Sequence, residues 1–80
     1  MRVTVGDTVE YVDEENPETE KQALITRDRS NPDWGMVNVN TPIAQALLGA
    51  RVGDVVEAKL PIGSVHLRIK EIRRVFPPRT

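Results

Sequence analysis

The sequence predicts a small α+β domain, a mainly antiparallel sheet of about five strands with one short helix after the third. Three observations predict it. Apolar and polar residues alternate over several short segments, as they do in half-buried strands. The period changes once, after Thr41-Pro42, to that of a helix. The apolar residues are mostly Val, Ile, Leu and Ala, with Tyr11, Trp34 and Phe76 the only aromatics, and β-branched side chains favour strands.

The first strand is read from Thr8 to Val12, with Val9 and Tyr11 on one face and Thr8 and Glu10 on the other. Asp13-Glu14-Glu15-Asn16-Pro17-Glu18 is polar and interrupted by proline, so it is expected to be an exposed connection. Gln22 to Arg27 reads as the second strand. Asp28 to Gly35 is rich in turn formers, including Ser30 and Asn31-Pro32-Asp33, and Met36 to Val39 is a short third strand.

Thr41-Pro42 then opens the helix. A threonine hydroxyl can accept from a free backbone N–H of the first turn, and proline suits the first helical position because no N–H is needed there. Ile43, Ala44, Leu47 and Leu48 follow at helical spacing, and Gly49 suits the left-handed residue that ends a helix. At about two turns, this helix depends on packing rather than propensity.

Val55 to Leu60 alternates again, with Val56, Ala58 and Leu60 on one face, and Pro61-Ile62-Gly63 supplies a turn. Val65, Leu67 and Ile69 form an inward face that Ile72 breaks; a bulge near Lys70-Glu71 restores it. Phe76-Pro77-Pro78-Arg79-Thr80 leaves the sheet. There is one internal echo: Val5-Gly6-Asp7-Thr8-Val9-Glu10 recurs as Val52-Gly53-Asp54-Val55-Val56-Glu57, each copy a Gly-Asp turn feeding a strand.

Length and charge narrow the function. Eighty residues hold one core, so residues 1–80 are expected to form a single domain. A net charge of −1 gives no case for binding nucleic acid by phosphate neutralisation. With no Cys and one His, disulfides, thiolate metal sites and multi-His clusters are excluded, and no metal or cofactor is expected. No apolar run approaches the ~20 residues that span a bilayer, and residues 1–20 lack a secretory layout, so the expected compartment is the cytoplasm. Residues 1–20 hold seven acidic residues and one basic, whereas residues 66–80 hold five basic and one acidic. Either these charges pair across a sheet or the basic strand meets an acidic partner.

Catalytic signals are lacking. Ser64 and His66 share a strand face but have no carboxylate orienter nearby in sequence and no oxyanion-hole motif. The acidic stretch from Asp13 to Glu20 lacks the spacing of a Ca²⁺ loop. Gly49, Gly53 and Gly63 sit at turns or caps rather than in a phosphate loop. No enzyme activity is expected. Trp34 either covers an edge of the core or anchors a partner. Asn40-Thr41-Pro42 is explained by capping, yet a rigid polar corner is also a good docking surface because it loses little entropy on binding.

The run Gly35-Met36-Val37-Asn38-Val39-Asn40-Thr41-Pro42-Ile43-Ala44-Gln45-Ala46-Leu47-Leu48-Gly49 resembles the signature of the C-terminal domain of the GreA and GreB transcript-cleavage factors. Val5-Gly6-Asp7-x-Val9-x-Tyr11 before it fits the same pattern. So do Val52-Gly53-Asp54-x-Val56, Pro61-x-Gly63 and Leu67-x-Ile69-x-x-Ile72 after it. The ending Arg74-Val75-Phe76-Pro77-Pro78 is similar to that of Rnk-type regulators.

The resemblance implies an FKBP-like α+β fold and docking on RNA polymerase, at the coiled coil on the rim of the secondary channel. Family contacts at an Asp-Ser-Pro turn fall here on Asn40, Thr41 and Pro42, with Ile43 following as a fourth partner-binding candidate. Thr keeps the hydroxyl; Asn drops a charge. The family's N-terminal coiled coil, whose acidic tip helps hold a catalytic Mg²⁺, has no counterpart before Val3, so cleavage stimulation is not expected. The alternative is a small Rnk-like interaction module with a non-polymerase partner, presenting Arg68, Lys70, Arg73 and Arg74. A prolyl isomerase, suggested by fold analogy alone, is disfavoured because three aromatics are too few for an aromatic-lined pocket.

Overall fold

The computed structural model describes residues 1–27 and 35–74. They form β1 (Asp7–Asp13), β2 (Asn16–Thr26), β3 (Met36–Asn38), α1 (Pro42–Leu47), β4 (Val55–Leu60) and β5 (Gly63–Arg74). The strands make one five-stranded sheet in the order β3-β2-β1-β5-β4. All neighbouring pairs are antiparallel except β2 and β3. Five strands with one helix after the third is the architecture expected from the sequence. The turn-rich stretch from Asp28, with Trp34, and the ending at Phe76 lie outside the described residues.

Each element follows from its pattern. On β1, Val9 and Tyr11 are buried while Thr8 and Glu10 stay half-exposed, as the alternation requires. Burial also pushes the Tyr11 phenol pKa up, because the charged form would be poorly solvated there. On β5, Leu67, Ile69 and Ile72 are all buried. Opposite β1, the register passes from Glu10↔Glu71 to Tyr11↔Ile69, so Lys70 is the extra residue of a bulge. That bulge restores the inward face of the strand.

One boundary differs from the sequence reading. β2 begins at Asn16 rather than Gln22, and Asn16-Pro17-Glu18 belongs to the strand instead of to a connection. Residues 16–22 are exposed throughout, so no buried face leaves a periodic signal. Backbone pairing to β1, from Asp13↔Asn16 through Val12↔Glu20, carries the extension, with an irregularity between Val12 and Asp13.

The internal echo is a repeated piece of geometry. Asp7 accepts from the Thr4 N–H at 3.0 Å and Asp54 from the Arg51 N–H at 3.0 Å. In each copy a glycine sits between them in the left-handed region, Gly6 at φ 97° and Gly53 at φ 94°. Its N–H donates to the neighbouring strand, Gly6 to the Ile25 carbonyl and Gly53 to that of Ile69, both at 2.8 Å. A side chain at that φ would be strained, which explains glycine at both positions.

The core lies between the sheet and α1. Ile25, Leu47 and Ile69 are its largest fully buried apolar side chains, each contributing about 1.5–3 kcal/mol. Across the central β1–β5 pair, acidic and basic residues meet as Asp7–Arg74, Glu10–Arg73 and Glu14–Arg68. Three of the seven acidic residues of the first twenty thus pair with arginines of β5.

Asp7 is the one buried member of these pairs, at 1% exposure. Arg74 grips it with a two-pronged fork, Nε to Oδ1 and a terminal nitrogen to Oδ2, both at 2.9 Å. The Arg74 hydrogen bonds, helped by the Thr4 N–H, hold the Asp7 carboxyl below its ordinary value of 3.8 despite its burial.

A depressed folded pKa means that the unfolded chain takes up this proton first as pH falls. The stabilisation is therefore whole well above pH 3.8 and declines as pH drops from there through the folded value. Asp7→Ala is expected to lower unfolding free energy by about 2 kcal/mol at neutral pH. It should also flatten the acid limb of stability against pH, measured by urea denaturation.

Candidate docking groove at the helix start

The corner between β3 and α1 is built from short-range hydrogen bonds. The Asn38 side-chain oxygen accepts from the Asn40 N–H at 2.8 Å. The Asn38 carbonyl accepts from both the N–H and the hydroxyl of Thr41, at 2.9 and 2.8 Å. The Thr41 hydroxyl oxygen in turn accepts from the Ala44 N–H at 3.3 Å, which caps the helix, and Pro42 occupies the first turn. These bonds satisfy donors that a helix start otherwise leaves to water, and they stiffen the turn.

The helix exit is fastened as well. Val3 donates to Ala50 and accepts from Gly49, both at 2.9 Å, and Arg2 reaches the Gly49 carbonyl at 2.9 Å. Ala44 and Leu47 bury the inner face of α1, whereas Gln45 faces out. Beside the helix runs β4, whose outward positions are Val55, Glu57 and Lys59.

Together these elements enclose a shallow, open groove of about 360 Å³ lined by Asn40, Pro42, Gln45, Ala46, Glu57 and Lys59. Its chemistry is that of recognition: two amides, one carboxylate, one ammonium and the apolar surfaces of Pro42 and Ala46. None of the six is a hydroxyl, thiol or imidazole; the ionisable groups are the Glu57 carboxylate and the Lys59 ammonium.

Of the residues singled out from the sequence, Asn40 and Pro42 are exposed and line the groove. Thr41 is half-buried and engaged in capping. Ile43 is also half-buried and packs against the core. Sequence reasoning missed Gln45, Ala46, Glu57 and Lys59. The alternation of β4 marks Glu57 and Lys59 as outward, but only the topology shows that they stand beside the helix start.

The basic strand proposed as a rival surface is largely committed elsewhere. Arg68, Arg73 and Arg74 pair with Glu14, Glu10 and Asp7, although their side chains keep 43–48% exposure. Ser64 and His66 lie exposed on β5, and among the described residues no group of side chains is arranged to hold a metal ion. Among them, too, no helix is long and apolar enough to cross a membrane.

The family model for the C-terminal region of the transcription elongation factors GreA/GreB matches residues 1–74. The chain belongs to the GreA/GreB family. It is 38% identical over 74 residues to transcription elongation factor GreA of Nautilia profundicola, across 92% of this chain and 44% of that protein. To GreA of Pseudomonas aeruginosa it is 35% identical over 74 residues, across 92% of this chain and 47% of that one.

Among solved structures, GreA factor homolog 1 of Thermus thermophilus superposes with a TM-score of 0.76 at 26% identity, covering 91% of this chain and 49% of its own. The GreA/GreB factor of Nitrosomonas europaea superposes with a TM-score of 0.70 at 26% identity, covering 89% and 59%. The chain thus spans about half the length of the curated relatives it matches, 44–47% in the two above. The likeness to these Gre-family structures includes the sheet and the helix that form the groove.

Removing the cap tests how the corner is held. Thr41→Ala is expected to cost about 1 kcal/mol of stability in chemical denaturation, whereas Thr41→Asp, which can accept from Ala44 but cannot donate to the Asn38 carbonyl, should recover only part of that loss.

Proposed function

We propose that this chain is an RNA polymerase-binding domain that acts in transcript elongation, and that it docks through the groove at the start of α1. The observation that carries the reading is the corner itself. Its backbone groups and the Thr41 hydroxyl are occupied internally, while Asn40 and Pro42 remain exposed at the lip of an open groove. A surface stiffened in this way gives up little conformational freedom when a partner covers it. Membership of a family named for transcription elongation supports the partner class. The position of the corner, where the family resemblance puts docking on the rim of the polymerase secondary channel, supports the surface.

In this reading the 80 residues bind rather than catalyse. The resemblance assigns Mg²⁺ delivery to a coiled coil. The activity proposed for these residues is docking, which modulates transcription by occupying the rim.

The test is binding of the purified chain to purified bacterial RNA polymerase. Asn40→Ala combined with Pro42→Ala is expected to weaken binding at least about tenfold, the loss of two central contacts, with the thermal melt little changed. Absence of binding by the parent chain, or affinity unaffected by the double substitution, contradicts the reading.

A further inference from the structure

Glu57 and Lys59 stand two residues apart on β4, so both project to the same side of the strand, roughly 6.5–7 Å apart along it. Both are exposed, both line the groove, and neither side chain has a hydrogen-bond or ion-pair partner among the described residues. Three of the four Lys and Arg residues of β5 behave differently: Arg68, Arg73 and Arg74 are each neutralised by a carboxylate of β1 or its adjoining turn, and Lys70 alone of the four has no such pair among the described residues. The groove lining therefore offers one negative and one positive charge, in the order set by the strand, together with the amides of Asn40 and Gln45.

We infer that Glu57 and Lys59 are specificity-determining residues of the docking groove, and that they read a complementary cation and carboxylate on the surface of a partner protein. The inference rests on the docking reading above and names the chemistry of its partner. A nucleic-acid backbone or an anionic membrane presents one sign of charge only. Either would be attracted by Lys59 and repelled by Glu57, so the pair would gain nothing from it. A protein surface carrying Lys or Arg opposite Glu57, and Asp or Glu opposite Lys59, satisfies both. Such rim charges contribute modest affinity but set register and exclude wrong partners.

The experiment measures affinity of the 80-residue chain for RNA polymerase at low and high salt, using Glu57→Lys, Lys59→Glu and the double substitution with Asn40→Ala and Pro42→Ala as the docking control. Both charged positions are exposed, and circular dichroism and thermal melts verify that each variant is folded. The expected result is that Glu57→Lys and Lys59→Glu each weaken binding about three- to tenfold at low salt, and that the difference shrinks as salt is raised.

Weaker binding by Lys59→Glu together with stronger binding by Glu57→Lys would assign the site to a polyanion and overturn the inference. Unchanged affinity in both charge variants, with binding still lost in the docking control, would overturn the inference and leave the docking reading intact. Absence of binding by the parent chain would overturn both.

Discussion

The structure depends on the pairing of β1 with β5. The two strands come from opposite ends of the described chain, Asp7–Asp13 against Gly63–Arg74, and they form the middle of the sheet. Without that joint the molecule would separate into a β1-β2-β3 portion and a β4-β5 hairpin. Loop-closure entropy opposes such a distant pairing. It is offset by buried apolar pairs, Val9 opposite Ile72 and Tyr11 opposite Ile69, and by ion pairs of which one is shut from water. Arg74 extends the joint: besides forking onto Asp7 it donates to the Arg2 carbonyl at 3.3 Å, and Arg2 in turn holds the helix exit. A residue at the end of the last described strand is thereby tied to the far end of the helix.

The groove is a consequence of that joint. Pairing β5 with β1 leaves β4 at the edge of the sheet, and α1 packs between the sheet and solvent beside it. The corner at Asn38–Pro42 fixes where the helix starts, and the Val3–Gly49–Ala50 bonds fix where it leaves. A helix of six residues has little stability of its own, so its placement comes from these restraints and from Ala44 and Leu47 in the core. Rigid backbone with exposed side chains on its outer surface is an arrangement suited to binding.

Much of this was legible in the residues. Alternation identified β1, β4 and β5, and the broken phase at Ile72 announced the bulge that the structure places at Lys70. Thr41-Pro42 marked the helix start because capping is local chemistry. The opposed charges of the chain ends suggested neighbouring strands, and the sheet pairs them. The first half of β2 was not legible: an extension exposed along its length has no inward residues to set a period, and Pro17 argues for a break. The site was half legible. Asn40 and Pro42 came from a contiguous motif, whereas Glu57 and Lys59 are brought beside them by topology, and alternation could say only that they face outward.

The central claim is that the helix-start groove, and not the charged outer side of β5, faces the partner. Hydroxyl-radical footprinting of the chain with and without RNA polymerase tests it most directly, because it reports side-chain coverage residue by residue. The account predicts that Pro42 and Lys59 lose reactivity in the complex, while Ile62 at the β4–β5 turn, 91% exposed in the free chain, keeps its own. Protection of Ile62 or of Arg68 and Arg73, with Pro42 as reactive as before, would contradict it.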